Sequence, residues 1–192
     1  MRALLLFPIL HSLEDLGSMR DAVDEPHMAA KQTEQFQVGV DHFWSVVAST
    51  IDGFGLDFGK LKLYQDGLPL CGKETEIVTE TAQSGSKNYL LLQSLMEKGA
   101  TIIGTESPDL LLQEYALMRQ TKESQSELRD DATETARALL EQRDTFVAQR
   151  ISATLKDGEM GLLFIGLLHK VEEKLPQDIT VIHPIGKPAI GA

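Results

Sequence analysis

Short apolar runs alternate along the chain with longer stretches in which apolar residues recur at helical spacing. The short runs are bounded by glycine, proline or aspartate and have the length of buried strands. They cover residues 3–9, 61–64, 100–103, 161–165 and 179–182. The longer stretches predict helices, because an apolar residue at every third or fourth position forms one helix face. They cover residues 38–51, 88–95 and 126–155, and a further helix begins after Ser107.

This alternation of strands and helices is typical of an α/β fold, in which helices cover both faces of a parallel sheet. We therefore predict one α/β domain over residues 1–192, with a mostly parallel central sheet of about five strands and flanking helices. A chain of 192 residues can bury a sizeable core without disulfides or metals to staple it.

The charge balance excludes some classes of partner. The chain has 18 basic and 29 acidic residues, for a formal net charge of −11. Nucleic acids and anionic membrane surfaces are bound through clusters of lysine and arginine, so neither is expected as a partner.

Cys71 is the only cysteine, which rules out an internal disulfide and suits a reducing compartment. No apolar stretch is long enough to span a bilayer, so we expect a cytoplasmic protein.

Four polar residues follow predicted strands, at the edge where parallel α/β sheets bind their ligands. His11 follows the first strand, Asp66 the second, Glu106 the third and His169 the fourth. If the strands are parallel, two imidazoles and two carboxylates meet at one edge of the sheet. Imidazole and carboxylate groups together are a common ligand set for Zn, Mn, Fe or Co. Without a metal, the same groups could act as general acids and bases.

Two arginines lie on the longest predicted helix, on or beside its apolar stripe. Counted from Leu140, the next three positions of this stripe lie three, seven and ten residues further on, at Arg143, Val147 and Arg150. They therefore share one helix face. An arginine that faces the core needs a carboxylate or a bound anion. Either arginine could therefore pair with a carboxylate at the strand ends or with an oxyanion of a substrate.

Each of these residues also has a plain structural interpretation. Asp66 before Gly67 is a natural turn residue, and Glu106 could stabilise the start of the helix after Ser107. Either histidine could satisfy a backbone carbonyl, and the arginines could extend along the surface with their charges in water. The shared position of the four residues at strand ends is what favours a functional site.

Two local patterns resemble a known superfamily. The segment 166–169, Gly-Leu-Leu-His, follows a hydrophobic strand, and Arg143-Asp144 lies in the helix before it. With a first strand that ends at His11, they resemble the superfamily of TraB/PrgY proteins, Tiki proteases, ChaN-like proteins and erythromycin esterases. The resemblance touches less than half of the chain, and Pro8 and Asp66 stand where the family usually has glycine and glutamate. It implies an α/β fold with paired histidines, acidic residues and arginine around a polar cleft. Its members include metal-dependent proteases and esterases as well as iron-binding proteins.

These observations lead to the hypothesis of a metal-assisted hydrolase that cleaves an ester or peptide bond in a small-molecule or peptide substrate. The expected ligands of a divalent metal (Mn, Zn, Fe or Co) are His11, Asp66 and His169. The expected catalytic residues are Glu106 as general base and Arg143 or Arg150 as the group that stabilises developing negative charge.

Two alternatives stay open at this point. The first is a non-catalytic protein that binds a small molecule, haem or iron in the same cleft. The second is a structural or interaction protein, in which the four strand-end residues serve ordinary turns. A homodimer is compatible with the many apolar helix faces.

Overall fold

The computed structural model describes residues 1–9, 15, 33–123 and 129–186. Within these residues, five strands form one sheet and five α-helices flank it. The strands are β1 (Arg2–Ile9), β2 (Leu61–Gln65), β3 (Thr101–Ile103), β4 (Met160–Gly166) and β5 (Ile179–Ile182). The helices are α1 (Glu34–Gly53), α2 (Glu74–Gln83), α3 (Lys87–Glu97), α4 (Pro108–Glu123) and α5 (Arg129–Thr154). Short 3-10 helices lie at Phe58–Lys60 and Val171–Lys174. None of the described helices combines the length and the apolar character that a bilayer-spanning segment needs.

The strands are all parallel and lie in the order β3-β2-β4-β1-β5. This arrangement confirms the α/β fold with a parallel central sheet that the sequence predicts. Strand β4 is inserted between β2 and β1, so the carboxyl ends of β3, β2 and β4 are neighbours. Three loops that carry polar residues therefore leave the sheet side by side, because adjacent strands are only about 5 Å apart.

The sheet is covered on both faces, and side chains along β2 alternate between them. Leu61 and Leu63 pack into the core formed with α1, α2 and α3. Tyr64 packs on the opposite face, against α5 residues such as Val147 and Ile151. Because successive strand residues point to opposite faces, the residue two positions after Tyr64 also emerges on the side of α5.

Helix α2 is the one described α-helix with no counterpart among the predicted helices. Its two buried positions, Val78 and Ala82, form a single pair four residues apart. One such pair is too short a repeat to reveal a helix, since the remainder of the segment is rich in threonine and glutamate. Tertiary packing against α3 stabilises it instead.

The loops after β2 and β3 are bonded to each other beyond the ends of the strands. The carbonyl oxygen of Leu68 accepts from the backbone N–H groups of Thr105 and Glu106, each at 3.0 Å. The N–H of Leu70 donates to the Glu106 carbonyl oxygen at 2.8 Å. Leu68 is fully buried, so its side chain anchors this arrangement in the core. The pairing fixes the backbone of Glu106 relative to β2.

Gly104 stands where the two loops approach most closely. A Cβ atom at this position would lie 2.7 Å from the Leu70 Cα and 2.7 Å from the Glu74 Oε1. We expect Gly104→Ala to lower the free energy of unfolding by about 1–3 kcal/mol, because the backbone of Leu70 has to move. Urea denaturation measures the change.

Gly39→Ala is the matched control. Gly39 lies on α1 with nothing within 4 Å of its added Cβ, so alanine should stabilise the helix by about 0.5–1 kcal/mol. Equal effects of the two substitutions would contradict the close approach at Gly104.

Candidate functional site

Asp66, Glu106 and His169 converge at the carboxyl edge of the sheet. One ligand atom from each lies within 4.8 Å of the other two. Glu106 is fully buried, and the side chains of Asp66 and His169 are 7% and 5% exposed. They come from the loops after β3, β2 and β4, which is the convergence that the parallel topology requires.

The backbone of β4 sets the position of Asp66. Its N–H donates to the Phe164 carbonyl oxygen at 2.9 Å, which extends the β2–β4 ladder by one residue. Its Oδ2 accepts from the Gly166 N–H at 2.9 Å. These two bonds fix the position of Asp66. Its other carboxylate oxygen, Oδ1, accepts a hydrogen bond from an arginine on α5.

Arg143 occupies the centre of the cluster, and every nitrogen of its guanidinium donates to a carboxylate. Nη2 donates to Asp66 Oδ1 and to Glu106 Oε1, both at 2.7 Å, and Nε donates to Glu106 Oε2 at 3.3 Å. Nη1 donates to both oxygens of Glu114 on α4, at 2.7 and 2.8 Å. The side chain of Arg143 is 6% exposed. A substrate oxyanion would therefore meet an arginine whose nitrogens are already paired.

The carboxylates decide the protonation of this buried arginine. Burial alone would lower the pKa of Arg143, but the charges of Asp66 and Glu106 outweigh burial and hold that pKa above its ordinary value. Arg143 is thus a permanent cation at the strand ends. Of the two partners that the sequence analysis left open, a carboxylate or a substrate oxyanion, the structure shows the carboxylate.

His169 is fixed by Asp144, which is buried on α5 beside Arg143. Nδ1 of His169 lies 2.5 Å from Asp144 Oδ1, and the other carboxylate oxygen accepts from the Lys170 N–H at 2.8 Å. A carboxylate only accepts, so this contact assigns the Nδ1 proton and leaves Nε2 3.5 Å from Asp66 Oδ2. The imidazole is oriented by one carboxylate and directed toward another.

Two titrating groups in the cluster are displaced from their ordinary range. Burial, together with the charge of Asp66, raises the pKa of Glu106 despite the opposing effect of Arg143. Burial would lower the pKa of His169, yet the hydrogen bond to Asp144 and the charge of Asp66 outweigh it and raise that pKa. Both groups therefore retain a proton to higher pH than they would in water.

The remaining predicted residues lie elsewhere or are not described. Nε of Arg150 donates to the Gly104 carbonyl oxygen at 3.1 Å, which supports the backbone just before Glu106. His11 lies outside the described residues. Glu114 and Asp144 were not among the predicted site residues. A core-facing arginine and histidine need carboxylate partners, and this is the one signal for Glu114 in the sequence. Asp144 has a second signal, since it belongs to the Arg143-Asp144 pair on which the superfamily resemblance rests.

Comparison with known proteins adds no identity. No protein-family model matches the chain, and neither a curated protein nor a solved structure matches it. The resemblance to the TraB/PrgY and Tiki superfamily therefore stays a prediction.

Replacing Arg143 tests the electrostatic role of the cluster. We expect Arg143→Met to lower the free energy of unfolding by about 3–5 kcal/mol at pH 7, because it leaves Asp66 and Glu106 buried without their cation. Arg150→Met removes one hydrogen bond to a backbone carbonyl and should cost about 1 kcal/mol. Chemical denaturation compares the two variants, and equal losses would contradict a special role for Arg143.

The raised pKa of His169 predicts a pH dependence of stability. Protonated His169 stabilises the folded state fully below its unfolded pKa of about 6.5. This contribution is lost as the pH rises through the higher folded pKa. In a buffer with chelator, we expect the stability difference between the wild type and His169→Gln to shrink from pH 6 to pH 9. A difference that grows with pH would show that the sign is wrong.

Proposed function

We propose that the chain is a metal-assisted hydrolase of ester or peptide bonds, with its centre at Asp66, Glu106 and His169. The observation that carries the proposal is the pair of contacts made by one imidazole. Asp144 holds Nδ1 at 2.5 Å, while Nε2 lies 3.5 Å from Asp66 Oδ2, and His169 offers one of the three ligand atoms that lie within 4.8 Å of one another. Histidines that bind metals commonly have a carboxylate on the second ring nitrogen in this way.

The donor set and the charge of the cluster both suit a divalent cation. One imidazole nitrogen with carboxylate oxygens is a set that Zn, Mn, Fe and Co accept. Asp66, Glu106, Glu114 and Asp144 bring four carboxylates to a cluster whose described ion pairs contain one arginine and one histidine. A dication offsets the excess of negative charge, which burial makes costly. We assign Asp66 and His169 as ligands, and His11 as the third.

When bound, such a metal supplies a water of lowered pKa and polarises the carbonyl of the substrate. The residues of the chain provide positioning and proton transfer. Glu106 is the general base, because burial raises its pKa toward the range in which it both accepts and releases a proton. Glu106 would accept the proton of the water as the water oxygen adds to the carbonyl carbon. The ester or amide bond then breaks as the leaving group takes that proton.

Asp144 and Arg143 act through other residues. Asp144 fixes the tautomer and the ring orientation of His169, so that Nε2 is free to bind. Arg143 holds the carboxylates of Asp66 and Glu106 in position and offsets their mutual repulsion, since its Nη2 bonds both. We therefore treat both as positioning residues, and Arg143 is not the group that stabilises an oxyanion.

One observation favours a second candidate function. All nitrogens of Arg143 are engaged by carboxylates, and Arg150 is engaged by a backbone carbonyl. Arg143, the predicted arginine that contacts Asp66 and Glu106, is therefore not available as a donor for developing negative charge in this arrangement. A protein that binds iron, haem or a small molecule in the same cleft, with no turnover, needs no such donor.

Metal binding by the wild type and by variants of Asp144 and His169 tests the proposal. We expect the wild type, purified without chelators, to contain metal and to bind added Mn²⁺ in calorimetry. Asp144→Asn should weaken that affinity about 10–100-fold, because it removes the charge that orients His169. His169→Ala should abolish the binding of Mn²⁺, because it removes a proposed ligand. Glu141→Gln, an exposed change on the same helix, should have no effect.

The outcomes separate the candidates. Equal metal content and equal affinity in the wild type, Asp144→Asn and His169→Ala would end the metal proposal. Metal binding that follows the expected order, with no hydrolysis of ester or peptide substrates, would replace the hydrolase by the binding protein. Hydrolysis lost in parallel with metal affinity supports the hydrolase.

A further inference from the structure

Glu114 differs from the other two carboxylates that contact Arg143. Its side chain is 28% exposed, whereas Asp66 is 7% and Glu106 0% exposed. It reaches the guanidinium from α4, a helix that packs on α5, while the other two emerge from the sheet. Both of its oxygens accept from Nη1 of Arg143, at 2.7 and 2.8 Å.

We infer that Glu114 occupies the binding position of a carboxylate in the substrate and leaves Nη1 of Arg143 when that substrate binds. The inference rests on the proposed hydrolase and names its substrate class: esters or amides that carry a free carboxylate near the bond to be cleaved. Nη1 belongs to the same guanidinium whose Nη2 bonds Asp66 and Glu106. A carboxylate held there is therefore adjacent to the proposed ligand and base.

The charge of the cluster explains why the substrate has to exchange with Glu114. The cluster already has more carboxylates than cations, so an additional anion would be repelled. Replacement of one carboxylate by another keeps the charge and the hydrogen bonds at Nη1 unchanged. A neutral substrate cannot make this exchange without leaving part of the arginine unpaired.

Burial explains why Glu114 is the carboxylate that leaves. Release of Glu106 would strand a fully buried charge in the interior. Release of Asp66 would break its bond from the Gly166 N–H and disturb the ladder next to β4. Glu114 is partly exposed, so its freed carboxylate can be hydrated at the surface of α4. The exchange then leaves no buried charge unpaired.

Acetate tests the anion position directly, without metal and without turnover. Glu114→Ala removes a side-chain carboxylate that added acetate can replace on Nη1. In chelator, we expect acetate to raise the Tm of this variant saturably and above the effect of chloride at equal ionic strength. Wild type should bind acetate at least about tenfold more weakly, because Glu114 competes for Nη1.

Glu141→Ala is the matched control, since Glu141 is 73% exposed and pairs with Lys174 at the surface of the protein. It should respond to acetate and chloride alike. If Glu114→Ala does not fold, Glu114→Gln is measured in the same way, because the amide keeps the shape and removes the charge. An acetate response no larger than the chloride response in the folded variant overturns the inference.

Substrate preference tests the exchange in the intact protein. We expect the wild type with metal to favour a mono-4-nitrophenyl ester of glutaric acid over neutral 4-nitrophenyl butyrate by about tenfold in kcat/KM. Glu114→Ala should lower KM for the glutarate ester more than for the neutral ester, so that the preference for the charged ester in kcat/KM increases. Equal hydrolysis of both esters, with no acetate response, overturns the inference and leaves the hydrolase standing. Acetate binding without hydrolysis of either ester supports the anion position and removes the hydrolase.

Discussion

The guanidinium of Arg143 stands among three carboxylates that come from separate parts of the chain. Asp66 follows β2, Glu106 follows β3, and Glu114 lies on α4, while the arginine itself belongs to α5. A buried ion cluster of this kind is stabilising only while it is complete, because any unpaired charge in the interior is costly. The ion pairs of one side chain therefore link two helices to the strand ends. The candidate site and the link between α4, α5 and the strand ends therefore share the same ion pairs.

Much of the fold follows from patterns that the sequence displays openly. The five strands are apolar runs with clear boundaries, and β5 has the predicted residues Ile179–Ile182. Asp66, Glu106 and His169 could be found because a parallel sheet brings the ends of its strands to one edge. Strand direction and position along the chain are enough for this prediction, without side-chain contacts. It gives the neighbourhood of a site, and it does not give the bonds within it.

The pairings within the site depend on features that a sequence pattern does not contain. Arg143 and Arg150 share a helix face, yet they are two turns and about 10 Å apart along the axis. Only the tilt and register of α5 decide that one reaches the carboxylates and the other the Gly104 carbonyl. Asp144 and Glu114 look like ordinary acidic residues of solvated helices. Their role is set by which helix turns toward the sheet edge.

The alternation at the end of β2 makes the chemistry sensitive to chain length. Tyr64 packs toward α5 and Asp66 emerges on the same side, while the intervening Gln65 points to the opposite layer. Deleting or inserting one residue within β2 would invert this order and carry the carboxylate into the apolar layer beneath α1 and α3. Insertions in exposed surface turns face no such parity rule. Length variation among proteins of this architecture should therefore be concentrated in those turns, and β2 should keep its residue count wherever the cluster is retained.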